Sequence, residues 1–214
     1  MVGTMITITD QRLSSLREDV RKRMSAKRFT HTLAVEEMVA RLCALYCPDM
    51  TDKMRVAALL HDVTKELDTD GQVSLCHRLG LEVTPEELAA PKTFHARTAA
   101  ALIEREFPDF ADPTVVDAVR WHTTGHADMT LTEQLLYLAD YIDLSRTFHS
   151  CVLLRRYFFG AEPQSMNMQE RERLLYQTLL LSYDMTIRDL LEEGKPVARD
   201  TVEARNEVLA YLRA

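Results

Sequence analysis

Glycine and proline are scarce in this chain of 214 residues, six of one and seven of the other, roughly half their usual share. So few turn-formers at this length exclude an architecture of many short strands and point to long helices. Long apolar runs are missing too: no stretch of about 18 uninterrupted apolar residues occurs, which excludes a membrane-spanning helix. The opening MVGTMITITDQR lacks the basic-then-apolar order of a secretory signal, and the chain is read as cytoplasmic. Positive charge is in deficit, 26 Lys and Arg against 33 Asp and Glu, for a net charge of −7. That leaves no electrostatic reason to expect nucleic acid or an anionic membrane as partner, although a small anionic ligand responds to local charge alone. The cysteines are only four, Cys43, Cys47, Cys76 and Cys151. One helical turn between the first two is awkward for a disulfide, and a zinc site would need two more ligands, so all four are read as reduced thiols in a helical core.

What is present is helical periodicity. A first helix is expected from about Asp10 to Met24, with a break near Ser25-Ala26. In the second, Val35, Met38, Val39, Leu42, Leu45 and Tyr46 recur at three-and-four spacing and stop at Cys47-Pro48. Thr51-Asp52 reads as the cap of a third, which carries Val56, Leu59, Leu60 and Val63 and fades in the polar turn Asp68 to Gly71. Shorter helices follow over Gln72 to Leu79 and after Thr84-Pro85-Glu86-Glu87, then Thr93 to Phe107 and Asp112 to His122. Leu131 to about Phe148 is expected to be helical, as are the stretches through Leu153 to Phe159, Gln169 to Glu193, and from Asp200. Only the short MITIT start alternates with a period of two. The fold class is therefore all-α. Residues 1–26 read as an N-terminal helix, 27–150 as the core, and 151–214 as a C-terminal helical extension packed on it.

The chemistry centres on His61-Asp62, set inside the apolar run AALLHDVTKEL. A carboxylate beside an imidazole on a buried stretch is costly unless something offsets its desolvation. A divalent cation does so, and neighbouring helices offer further ligands in His31, His95, His122 and Asp140. Any one of these alone reads as a hydrogen-bonded core or surface group. The ordered set is what carries information. His77, His126 and His149 are left out, His126 as a solvated loop residue, and the methionines as core filler.

The series His31, His61-Asp62, His95, His122, Asp140, with the words RFTHTLAV, LLHDVTKEL, HTTG, YLADYID and TVEARN, resembles the HD-domain metal-dependent phosphohydrolases. It is similar in particular to their YqeK-type branch, bacterial symmetrical dinucleoside-tetraphosphate hydrolases. The resemblance runs from about Lys27 to Asn206. Two departures stand out: Thr98-Ala99 where members often have Gly-Ala, and Asp143-Leu144-Ser145 for the usual Glu-Pro-Asn before Arg146.

The resemblance implies an HD helical bundle holding two divalent ions. One would sit on His31, His61, Asp62 and Asp140, and the other on His95 and His122 with Asp62 bridging. It implies iron; by residue type alone manganese, cobalt, nickel or zinc suit the same donors. The implied substrate is diadenosine tetraphosphate, cut to two ADP by a metal-bound hydroxide. Beside the catalytic Asp62, Lys65 lies one turn on and is placed to hold a phosphate oxygen. Arg146 and, less directly, Arg28 are placed to clamp outer phosphates, and the Thr123-Thr124-Gly125 loop offers hydroxyls and backbone N–H groups. Other nucleotide phosphohydrolysis on the same scaffold, such as phosphomonoesterase activity, is the alternative enzyme. A non-catalytic nucleotide-sensing module is the alternative from another class. The helices after Ser150 are open to three roles: completing a pocket, forming a homodimer face, or thickening the core.

Overall fold

The computed structural model describes residues 7–214, so Met5 and Ile6 of the MITIT stretch lie outside the described residues. These residues form eleven α-helices and no strand. They are α1 (Asp10–Arg21), α2 (Ala26–Tyr46), α3 (Thr51–Leu60), α4 (Thr69–Leu79), α5 (Pro85–Ala89) and α6 (Phe94–Glu106). After them come α7 (Pro113–Trp121), α8 (Leu131–Ile142), α9 (His149–Gly160), α10 (Met168–Glu192) and α11 (Arg199–Arg213). No helix among the described residues is long and apolar enough to cross a membrane.

The helix ends follow local chemistry. Ser25 accepts the Arg28 N–H and starts α2. Thr84 with Glu87 and Thr130 with Glu133 form capping boxes that start α5 and α8. Gly80 closes α4 at φ +72°, a left-handed conformation that glycine enters without steric cost. Asp68 is the N-cap of α4 rather than part of a turn, accepting the Gly71 N–H at 2.8 Å. Thr51 is the first residue of α3 rather than its cap, because its backbone is already helical at φ −52° and ψ −49°, and its hydroxyl donates to the Pro48 carbonyl.

Two helices end earlier than their apolar pattern implies, and both endings matter. Helix α3 stops at Leu60, and the chain continues through turns closed by i→i+3 bonds, Val63 to Leu60, Lys65 to Asp62 and Leu67 to Thr64. His61, Asp62 and Lys65 therefore do not share an α-helix. Tightening to three residues per turn stacks side chains at i and i+3, which sets Lys65 above Asp62. Helix α8 stops at Ile142 rather than near Phe148, and residues 143–146 fold back toward Asp140.

Helix α2 runs through the middle, packed on α3 and α8, with α7 wedged against α3, α6 and α8. The core joins Leu16 of α1, Val39 of α2, Leu59 of α3 and Leu138 of α8 with Phe158, Leu179 and Tyr183 of the C-terminal helices. One buried charge pins the N-terminal layer. Glu36 on α2 accepts two bonds from Arg17 on α1, at 2.8 and 2.5 Å, and one from Arg55 on α3 at 3.1 Å. Glu36→Gln is expected to destabilise the fold by about 2 kcal/mol. That is below the cost for a fully buried pair, because each arginine keeps about a quarter of its side chain exposed. Urea unfolding followed by circular dichroism measures it; an unchanged midpoint would remove this pin from the account.

Candidate metal centre

Five segments bring the six candidate ligands to one place. His31 comes from α2, His61 and Asp62 from the turn after α3, His95 from α6, His122 from the end of α7, and Asp140 from α8. All four imidazoles and Asp62 are buried. Asp62 lies between two groups. Its Oδ2 is 3.7 Å from His31 Nε2 and 3.5 Å from His61 Nε2, and Asp140 Oδ1 is 2.9 Å and 3.7 Å from the same two nitrogens. On the other side, Asp62 Oδ1 is 3.4 Å from His95 Nε2 and 3.7 Å from His122 Nε2.

Each ring is oriented by its other nitrogen. His61 Nδ1 donates to Ala58 O at 2.6 Å, His95 Nδ1 to Lys92 O at 2.8 Å, and His122 Nδ1 to Val119 O at 2.7 Å. In every case the acceptor is the carbonyl three residues earlier. With Nδ1 committed to the backbone, Nε2 of all three faces the centre. His31 Nδ1 instead meets Ser145 Oγ at 3.2 Å and Asp143 Oδ2 at 3.4 Å.

This arrangement fits a divalent metal. His31 Nε2, His61 Nε2 and Asp62 Oδ1 are buried without a hydrogen-bond partner, a costly state that a cation relieves. The ligand atoms of His31, His61 and Asp140 lie within 4.8 Å of one another, as do those of His61, Asp62 and His122. His95 belongs to neither group: its Nε2 is 3.0 Å from His122 Nε2 and accepts from Lys65 Nζ at 2.9 Å. Burial pulls the His61 imidazolium down, yet the charges of Asp62 and Asp140 beside it outweigh burial and raise its pKa to about 10. Burial, with Lys65 and His122 beside it, holds His95 well below the usual histidine range. The His31–His61–Asp140 side therefore attracts positive charge.

The phosphate candidates are less uniform. Lys65 is half-buried against His95, and desolvation lowers its pKa despite Asp62 and Asp140 nearby. Arg28 donates to Asp62 Oδ2 at 2.7 Å and Arg146 to Asp140 Oδ1 at 2.6 Å, so both guanidiniums already sit on the carboxylates. Thr123 Oγ1 is 3.0 Å from His95 Nε2, and Thr124 lines the adjoining cavity. Gly125 points the other way. Its N–H is spent on Trp121 O, its φ is +63°, and an added Cβ would meet the Tyr183 hydroxyl at 2.2 Å. The position is one of close packing, without a free N–H for a phosphate. His126 is not simply solvated either: its ring packs at a tilt against Trp121 and meets Glu133 at 3.1 Å.

A residue the sequence reading passed over is Asp143. It is fully buried between His31 and Arg146, its Oδ2 3.4 Å from His31 Nδ1 and from Arg146 Nε, while Oδ1 accepts the Ser145 N–H at 2.8 Å. The only signal was its place in a departure from the family wording. The other departure is also filled: Thr98 sits between Thr64 and Gln72, and Thr64 bonds the His95 carbonyl at 3.0 Å.

Residues 28–145 match the family model described as HD domain. The chain belongs to the HD domain family. This HD domain chain is 29% identical over 184 residues to a Bacillus subtilis (strain 168) protein named bis(5'-nucleosyl)-tetraphosphatase, symmetrical, covering 85% of this chain and 89% of that one. A Staphylococcus aureus (strain NCTC 8325 / PS 47) protein of the same name is 33% identical over 129 residues, 59% of this chain and 64% of that one. The crystal structure of a predicted HD superfamily hydrolase involved in NAD metabolism from Clostridium acetobutylicum superposes with a TM-score of 0.79 at 28% identity. It covers 92% of this chain and 97% of that one.

Two outcomes are expected. Metal-free His61 is protonated at neutral pH and must lose that proton to act as a ligand. Metal uptake by this HD domain protein then releases protons, and affinity falls as pH drops from about 8 to 6; calorimetry in buffers of different ionisation enthalpy measures both, and proton-neutral uptake would refute the argument. Asp143→Asn is expected to weaken metal binding about 10–100-fold by loosening His31, read by chelator competition on a protein of unchanged circular dichroism.

Proposed function

We propose that this chain is a metal-dependent hydrolase that cleaves diadenosine tetraphosphate symmetrically, giving two ADP. The observation that carries the reading is the placement of Asp62, one carboxylate oxygen toward His31 and His61 and the other toward His95 and His122. Two ions would be held there, one by His31, His61, Asp62 and Asp140 and the other by His95, His122 and Asp62. We infer iron from the family resemblance; the mixed imidazole and carboxylate donors suit it, as they do manganese, cobalt, nickel or zinc. The names of the Bacillus and Staphylococcus relatives support the substrate.

When bound, the metal pair supplies Lewis acidity and a nucleophile at neutral pH. The chain's own residues bind and orient the polyphosphate. Lys65 holds a non-bridging oxygen beside Asp62, where burial keeps water from competing. A guanidinium offers five N–H donors, so Arg28 and Arg146 keep donors for phosphate while resting on Asp62 and Asp140. The buried Arg28 Nε–H has no partner in this structure, which leaves it for an anion. Thr123 and Thr124 line the adjoining cavity and offer hydroxyls to the same phosphates. The departing ADP gains charge as its bond breaks, and these cations stabilise it.

The test is a product assay on protein purified without chelator, with metal counted per chain. Two ADP are expected from diadenosine tetraphosphate. ATP with AMP would overturn the cleavage position, phosphate from a mononucleotide would favour the phosphomonoesterase, and turnover of NAD alone would overturn the substrate. Asp62→Ala is expected to lose the metal and at least about a thousandfold in turnover. Full metal occupancy with no turnover by wild type would favour the sensing module.

A further inference from the structure

Helix α8 ends abruptly. Asp143 leaves the helical region at ψ 157° directly after Ile142, so the last carbonyls of the helix have no helical N–H to accept from. Two arginines take that place. Arg146 Nε donates to Asp140 O. Arg155 donates from Nε to Ile142 O at 2.7 Å, and from Nη2 to Asp143 O and, at 2.8 Å, to Arg146 O. It comes from the middle of α9, outside residues 28–145 matched by the HD domain model. With Cys151, Leu154 and Phe158 it fills the i, i+3, i+4 and i+7 positions of one face of α9, and the other three are buried. A guanidinium on such a face is costly unless its N–H groups are satisfied, and three main-chain carbonyls satisfy this one.

The turn so held carries the groups that aim two others. Asp143 Oδ2 stands 3.4 Å from His31 Nδ1, and Ser145 Oγ 3.2 Å from it. Arg146 reaches Asp140 Oδ1 at 2.6 Å. Residues 143–146 belong to no helix, and the turn's own backbone bond, Arg146 N–H to Asp143 O, is long at 3.3 Å. Its shape depends on what grips its carbonyls. We propose that Arg155 is a positioning residue for the metal centre: by holding three carbonyls it fixes the turn, and through the turn the aim of His31 and the seat of Arg146. The proposal rests on the metal-dependent reading of the centre and adds a residue of the C-terminal helices on which one side of it depends. The effect is one-sided, because His95 and His122 take their tethers from the carbonyls of Lys92 and Val119. Any cation is favourable at the C-terminus of a helix. Spanning three carbonyls takes the planar fork of a guanidinium, where an ammonium is a point charge on a flexible stem.

Cobalt(II) titration of the full chain against a competing chelator, followed by visible absorption, tests this. Arg155→Met is expected to weaken one of the two uptake steps about tenfold and to leave the other within about twofold, with circular dichroism unchanged. Arg155→Lys keeps the charge and loses the fork, and is expected to weaken the same step about fivefold; it is the variant to read should the methionine variant misfold. Added to Asp143→Asn, Arg155→Met is expected to cost less than about threefold more, because both act through one turn. Equal weakening of both steps, or wild-type affinity in either Arg155 variant, would overturn the proposal. So would a further loss of about tenfold in the double variant, the mark of independent effects. No nucleotide enters these measurements, so the two readings fail separately. Loss of one cobalt(II) step in the variants, with no cleavage of diadenosine tetraphosphate by wild type, sinks the reaction alone. Cleavage to two ADP with cobalt(II) uptake indifferent to Arg155 sinks the positioning alone.

Discussion

The structure depends on the cost of burying Asp62. A carboxylate with 2% of its side chain exposed is tolerable only where positive charge or hydrogen bonds replace the lost water. The chain surrounds it with imidazoles, Arg28 and Lys65, and against a burial that works the other way His61, His122 and Lys65 hold its pKa well below the ordinary range. Apart from His61 and Lys65 of its own turn, the groups that face Asp62 are brought by α2, α6 and the end of α7. The folding of the bundle and the assembly of the charged centre are therefore one event, and the apolar packing of α2, α3, α7 and α8 also sets distances between ionisable groups.

The centre is not symmetrical about Asp62. Carboxylates crowd one side, where His31 and His61 lean toward the protonated form. On the other side His95 and His122 are held neutral by burial first of all, with Lys65 and His61 respectively adding to it. Two ions in such a setting would feel different fields, the first richer in negative charge than the second. The adjoining cavity opens on Asp140, Arg146 and His122, so an anion entering it meets residues of both sides.

Much of this was legible in the sequence, and the reasons differ from residue to residue. Histidine is uncommon and chemically singular, so His31, His61, His95 and His122 could be picked out by type and context, and the structure brings them together. The helices were legible where apolar spacing was unbroken and a cap was local, as at Ser25, Thr84 and Gly80. The end of α3 was not, because AALLHDV keeps helical periodicity whether the backbone closes i→i+4 or i→i+3. Asp143 was hidden for another reason. Its importance comes from burial, and burial comes from the chain folding back after Ile142, which no local pattern announces. Gly125 was misjudged because a glycine after a ligand suggests an open loop, whereas its neighbour in space is Tyr183, distant in sequence.

The three rings tied to a carbonyl of their own helical turn have an evolutionary corollary. A tether supplied by a side chain is lost with one substitution; a tether supplied by the main chain survives any replacement of the residue that owns it. The tethers ask nothing of the side chains of Ala58, Lys92 and Val119, although core packing still constrains Ala58 and Val119. His31, held through Ser145 and Asp143, is the one whose aim is exposed to drift, and it lies where this chain has already parted from the family's usual wording.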